Sequence, residues 1–384
     1  MKKKYPIKFF VAANIVAVQV AYAADEKPFN VNLSAQGIWD SNFSRSPLND
    51  SEQGLLSSAG FRFDDKIGRQ RLIAKWDIHR YEYNDHPDFD ATTDAGQLSW
   101  KGAFGSKVTA DIDFLRNSYQ VDRLEFFGKD IVTRDDLSAR FGYGTESRLS
   151  FHAGARKSEQ EHSNEGRRAL DFDEKEGFAD IGFQTNNKST LFLRYKSGER
   201  TYSHWVSDTL DTAFADLDFD YRQLELEAQW ALSSKTTLSA LVARFERDGA
   251  INDARGSVVN IGVDWRVTEK AWLKAGYTLA EPALGETSDS ASRIKTFSLS
   301  AQWQFLSKWG LGSAVAYSVV DYEHLPPEFV RQETAYTVSP VTLTFDSGHH
   351  WRLRLDSGWR KNESPIFVRD YIARQINAGI FFYY

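Results

Sequence analysis

The chain closes on Tyr371-Ile372-Ala373-Arg374-Gln375-Ile376-Asn377-Ala378-Gly379-Ile380-Phe381-Phe382-Tyr383-Tyr384, and the fold is decided by how this stretch is read. Its even positions are mostly apolar (Ile372, Ile376, Ala378, Ile380, Phe382, Tyr384), while Gln375, Asn377 and Gly379 occupy odd ones. A period of two is the repeat of a strand with two unlike faces. An exposed aromatic run at the end of a soluble chain is unusual. The closing strand of a transmembrane barrel ends this way, with aromatic rings at the membrane interface. Ile380, Phe382 and Tyr384 are therefore expected to close the barrel; the competing reading is an ordinary buried sheet strand.

The other end of the chain points to export. Lys2, Lys3, Lys4 and Lys8 precede the apolar run Phe9 to Val20, and Ala21-Tyr22-Ala23 fits a small-x-small cleavage site. Residues 1–23 are thus expected to be a signal peptide and residues 24–384 a single barrel domain. The run is too short, and too interrupted by Asn14 and Gln19, to cross a bilayer as a helix, and no later segment reaches the roughly 20 apolar residues such a helix needs. Cleavage would remove four lysines and no acid, moving the formal charge from −6 to −10. An acidic chain disfavours nucleic acid. With no cysteine and an exported destination, stability has to come from the sheet itself.

Between the ends one unit repeats: alternating strand, short turn, alternating strand, long polar loop. Phe29 to Phe43 opens the series, with Val31, Leu33, Ala35, Gly37 and Trp39 on one face and Asn32, Ser34, Gln36 and Asp40 on the other. It starts too soon after the cleavage site to leave room for an N-terminal plug. Residues 54–63 and 69–83 flank an expected turn, Asp64-Asp65-Lys66-Ile67-Gly68, and the pattern continues to residues 370–384. The fold class is all-β: a transmembrane antiparallel barrel of about 18 strands, in the range of 16 to 18 that encloses an aqueous channel. An even count places both termini on the periplasmic side of the bacterial outer membrane, beside the short turns. A soluble sandwich or propeller would repeat its motifs at fixed intervals, and none returns here.

Parity assigns faces, since hydrocarbon must meet the apolar set. Leu224, Leu226, Ala228 and Trp230 face lipid, so Glu225, Glu227 and Gln229 face the lumen. The same reading puts Arg140, Arg148, Arg156, Arg194, Lys196, Arg244, Arg266 and Lys274 on the lumen wall. In the strand from His349 to Lys361, Trp351, Leu353, Leu355 and Trp359 alternate with Arg352, Arg354 and Arg360, an arginine ladder on one inner wall. These residues are the candidate site. Either they form a basic wall, with acids gathered in outer loops (Asp85 to Asp94 and Asp208 to Asp220), or lumen charges of both signs pair. Three long connections, 117–133, 157–175 and 203–218, are candidates to fold into the bore.

No catalytic residues are expected: the eight histidines are scattered, and none sits in a nucleophile arrangement. A hydrolase site on the rim is the alternative. His349 and His350, adjacent on a strand, point to opposite faces, so no metal is expected, and no cofactor either. The expected surroundings are outer-membrane lipid and lipopolysaccharide, with delivery by the barrel assembly machinery and a monomeric state.

Particular segments then resemble one family. Gly37-Ile38-Trp39-Asp40-Ser41-Asn42-Phe43-Ser44-Arg45-Ser46-Pro47 is similar to the opening strand and loop of EpsL-type barrels of exopolysaccharide operons. Ser58 to Asp64, Arg69-Gln70-Arg71, Tyr81-Glu82-Tyr83, Trp230 to Leu238 and Phe245 to Asp248 continue the likeness, while the Phe-Phe-Tyr-Tyr ending departs from it. The resemblance implies a porin-like exit for a secreted acidic polysaccharide, working with periplasmic and inner-membrane export proteins. The alternative function is a general or sugar-selective uptake porin; an adhesive barrel is a third.

Overall fold

The computed structural model describes residues 28–144, 147–203, 216–283, 291–323, 330–348 and 350–384. The expected signal segment and the loop residues Asp208 and Asp211 lie outside these. The described residues form β1 (Phe29–Asp40), β2 (Glu52–Ile67), β3 (Gln70–Tyr83), β4 (Ala91–Phe104), β5 (Val108–Gln120), β6 (Ile131–Tyr143), β7 (Leu149–His162), β8 (Phe172–Gln184) and β9 (Thr190–Tyr202). They continue with β10 (Phe219–Ala231), β11 (Thr236–Asp248), β12 (Ala254–Arg266), β13 (Ala271–Ala280), β14 (Arg293–Trp303), β15 (Trp309–Tyr322), β16 (Arg331–Asp346), β17 (Trp351–Glu363) and β18 (Tyr371–Tyr383).

Each strand pairs antiparallel with the next, and β18 returns to β1, so the 18-stranded sheet closes. The C-terminal stretch performs that closure. Ile380 lies opposite Ala35 of β1 and Leu353 of β17, and Phe382 lies opposite Leu33 and Trp351. Closure removes the unpaired edges that hydrocarbon cannot satisfy.

The molecule is apolar outside and polar within. Leu224 is 51% exposed, whereas its neighbour Glu225 is 2% exposed. Glu52, Glu333, Asn42 and Asp130 are also among the most buried side chains. At the short-turn end, Phe104, Tyr143, Trp230, Trp265, Trp303 and Trp351 are exposed outward as an aromatic girdle at one membrane interface.

Two local departures have physical causes. The expected turn at Asp64–Gly68 is strand almost throughout, because Ile67 pairs with Gln70 and only Gly68 and Arg69 turn. Gly68 takes φ 64°, a backbone glycine adopts without a Cβ clash. In β16 the register shifts between Val338 and Thr342 against β17, and again opposite Gly312 and Ala314 of β15. Pro340 sits in that gap; having no N–H to give the ladder, it is accommodated by a bulge.

Candidate functional site: the lumen and its outer mouth

The inner wall of β6 to β10 is built from ion pairs that cross strands. Asp180 on β8 accepts from Arg140 of β6 at 3.2 Å, His152 of β7 at 2.5 Å and Arg194 of β9 at 3.3 Å. Arg194 also reaches Glu225 at 3.1 Å, and Lys196 meets Glu225 at 2.7 Å. Nearer the long-loop end, Glu174 holds Arg156 at 2.7 Å together with Arg200. The Tyr221 hydroxyl donates to Glu176 at 2.8 Å.

The pairing is layered. The side chains of Asp180, Glu174 and Glu225 are almost fully covered, while those of Arg140 and Arg156 keep about a third of their surface open. Water in the bore therefore meets guanidinium edges first, with negative charge directly behind them. Partial neutralisation of this kind leaves hydrogen-bond donors on the surface but weakens their long-range field.

The remaining expected residues fall as follows. Arg352 pairs with Asp346 at 2.8 Å, Arg354 with Asp356 at 2.6 Å and Arg360 with Asp122 at 3.1 Å. The ladder is thus a row of ion pairs and not a bare cationic wall. Lys274 pairs with Asp264 at 3.1 Å. Arg148 stands in the turn before β7 and bonds Asn186 at 3.1 Å, and Arg266 ends β12 opposite Trp272. Arg244 does not belong to the lumen: it is registered opposite Leu224, on the outward face, while Ala243, Phe245 and Arg247 are the buried residues of β11. The inner aromatic Phe245, packed 4.3 Å beneath the Arg247 guanidinium, inverts the usual alternation there.

Most of the expected connection 203–218 lies outside the described residues; among those described, the connection 121–130 is drawn across the mouth. Its ends are tied together by the Val121 N–H donating to the Asp130 carbonyl at 2.9 Å. Asp122 meets Arg360 on β17, six strands away from β5 around the barrel. Arg369, in the loop before β18, donates to the Leu124 carbonyl at 2.8 Å and is itself held by Glu333 of β16 at 2.7 Å and by the Tyr322 hydroxyl of β15 at 2.8 Å. On the near side Arg167 pairs with Asp130 at 3.0 Å and covers the Phe126 ring. Segment 121–130 is therefore a strap anchored at both walls.

A second knot supports it. Arg45, buried and left-handed at φ 54°, bonds Asp40 at 2.5 Å, and Gln375 donates to the same carboxylate at 2.7 Å. The Asn42 amide reaches the Ser46 and Ile372 carbonyls at 2.7 and 3.0 Å. Phe43 is sandwiched between His86, at 4.5 Å, and the Arg123 guanidinium of the strap, at 3.6 Å. Burial alone would raise the Asp122 carboxyl, but Arg360 and Arg45 outweigh it and hold the group below its ordinary value. Burial would likewise lower Arg45, and Asp40 reverses that and raises it. The sequence offered Asp40, Asn42, Phe43 and Arg45 only as a motif; their work is to lock the mouth. Asp122, Leu124, Arg369 and Glu333 carried no local signal.

A closed 18-stranded antiparallel barrel with an apolar exterior and a charged bore is the architecture of an outer-membrane porin. No protein-family model and no curated protein matches this sequence. Among solved structures, the fold is similar to Pseudomonas aeruginosa OccK2 (OpdF), at 12% identity and a TM-score of 0.52, covering 92% of this chain and 98% of that one. It is also similar to Acinetobacter baumannii OccAB3, at 10% identity and a TM-score of 0.50, covering 93% and 99%. These neighbours are Occ/Opd porins, not EpsL-type exporters, so the expectations of EpsL kinship and of polysaccharide export are overturned. At the mouth, the connection 121–130 runs from Asp130, beside Arg167, to Arg360 and Arg369 on the other side of the barrel.

Proposed function

We propose that this protein is an uptake channel for small polar solutes, sugars among them, narrowed at its extracellular mouth by the strap 121–130. The observation that carries this reading is the pinning of the strap from β6–β8 to β15–β17 through Arg167, Arg360 and Arg369. Behind the strap, paired arginines line the wall with donors suited to hydroxyl and carboxylate oxygens, and Arg presents them in a planar, two-bond geometry. At about 4 Å one such charge contact is worth roughly 1 kcal/mol in bulk water and about 4 at an intermediate dielectric. Contacts in that range guide a solute without trapping it.

The test is proteoliposome swelling with a series of neutral sugars and singly charged sugar acids. Monosaccharides are expected to enter several-fold faster than linear hexasaccharides. Equal rates for both sizes, or no entry of either, would contradict a narrowed small-solute channel.

A further inference from the structure

Two acids face one imidazole beside the strap. His86, in the connection between β3 and β4, places Nδ1 2.6 Å from Glu52, the first residue of β2, and Nε2 3.3 Å from Asp50, in the connection before it. The Glu52 side chain is almost fully covered and also accepts the backbone N–H groups of Gln53 at 2.8 Å, Asn84 at 2.9 Å and Asp85 at 3.2 Å. Asp50 accepts the Ser44 N–H at 2.9 Å and the Ser44 hydroxyl at 2.6 Å. Burial would raise the Asp50 carboxyl, but Ser44, with His86 adding to it, holds the group below its ordinary value, so it is ionised at neutral pH.

An ionised carboxylate only accepts hydrogen bonds, and a neutral imidazole has a single N–H. With that N–H given to Glu52, a neutral His86 would turn a lone pair toward Asp50. Only the imidazolium, with a proton on each nitrogen, suits both acids. Of the other charged groups around it, Asp85 and Asp88 are exposed on the same connection, and Asp90 is engaged by the Tyr83 N–H at 2.8 Å. Arg123 of the strap lies on the far side of the Phe43 ring. That ring passes the proton's effect to the strap. The Asp50 carbonyl holds the Phe43 N–H at 2.7 Å, and Phe43 stacks on His86 at 4.5 Å, with 22° between the rings, while its other face carries Arg123 at 3.6 Å. A lone pair opposite Asp50 would drive the turn from Phe43 to Asp50 away from the imidazole. Loss of the imidazolium also removes one of the two cations attracted to the ring. Arg123 would then lose its seat, although the ends of the strap keep Arg167, Arg360 and Arg369.

We propose that His86 is a proton-operated latch on the strap: charged, it holds the mouth narrow, and neutral, it frees the middle of the strap. The latch rests on the reading of 121–130 as the constriction. Imidazole is the ordinary side chain that changes charge between about pH 5 and 8. The latch is therefore closed at the acid end of that range and released toward the alkaline end, the opposite sense to protonation of Asp122.

Single-channel recordings in planar bilayers from about pH 5 to about pH 9 test the latch. In the unaltered channel the time spent at wider levels, relative to the narrow one, is expected to rise with pH by at most about tenfold per pH unit, the limit for one proton. His86→Arg, a cation throughout the range, should hold the narrow level at every pH. Asp50→Asn should do the same by another route, because its amide can donate to the lone pair of the neutral ring. His86→Phe, which keeps the stack and lacks the charge, should show the wider levels at every pH. A strap-free channel, with a short turn in place of 122–129, checks the underlying reading and should be wide and flat across the range. If it is no wider than the unaltered channel, the constriction fails and the latch with it. If it is wider while His86→Arg and Asp50→Asn keep the alkaline rise, the latch alone is overturned. An unaltered channel whose levels ignore pH also overturns the latch. Should His86→Arg fail to assemble, Asp50→Asn decides.

Discussion

Removal of Ile380–Tyr384 is expected to abolish assembly. These residues carry the periplasmic half of the β18 pairings: Ile380 with Ala35 and Leu353, Phe381 with Ser34 and Arg352, Phe382 with Leu33 and Trp351. The Tyr384 N–H also donates to the Val31 carbonyl at 2.9 Å. Without them β1 and β17 would each expose a run of backbone donors and acceptors to hydrocarbon, and each unsatisfied group costs several kcal/mol there. Only a few such groups would exceed the 5 to 15 kcal/mol by which a folded domain is ordinarily stable. Outer-membrane fractionation with the heat-modifiable gel shift measures the outcome. A truncated chain that reached the membrane and shifted normally would refute the role given to this segment.

Excising the strap is expected to have the second largest effect, and on conduction instead of folding. Val121 and Asp130 already face each other across a hydrogen bond, so a short glycine-containing turn in place of 122–129 leaves β5 and β6 undisturbed. An 18-stranded barrel freed of its inward loop encloses a wide aqueous bore, so single-channel conductance in planar bilayers should rise by a factor of about two or more. Acid should work in the same direction. Because the folded Asp122 is held below its ordinary carboxyl value, its attraction to Arg360 is fully present above about pH 4 and is lost as the pH falls through the lowered value. The intact channel is therefore expected to keep its conductance from neutral pH down to about 4 and to become larger or noisier below it. A strap-free channel of unchanged conductance would show that 121–130 does not limit flow.

How much of this was legible in the sequence depends on what each residue answers to. Strand parity was readable because lipid and water impose opposite demands on neighbours, as Leu353 and Arg354 or Leu224 and Glu225 show. The same rule misplaced Arg244, since at the outer end of β11 the outward face has already left hydrocarbon and the inward Phe245 is wanted under Arg247. Pairing of lumen charges was one of the two readings the sequence left open, but the identity of the partners was not legible. Asp180 draws its three partners from β6, β7 and β9, and which residues face each other is set by register, which composition does not encode. The mouth was hidden for a related reason: Arg369 and Leu124 are bonded but separated by 245 positions. The motif from Asp40 to Pro47 looked like a family signature, whereas its Asp, Asn, aromatic and Arg are each accounted for by contacts that close a loop.

A strap at one end only would make the two entrances of the bore unequal, and polymer exclusion in planar bilayers measures that asymmetry directly. Polyethylene glycols of graded size, added to one side of the intact channel at a time, reduce its current for as long as they can enter. A distinctly smaller cutoff is expected from the long-loop side, where the strap meets Arg360 and Arg369, than from the short-turn side. Identical cutoffs from the two sides would contradict it.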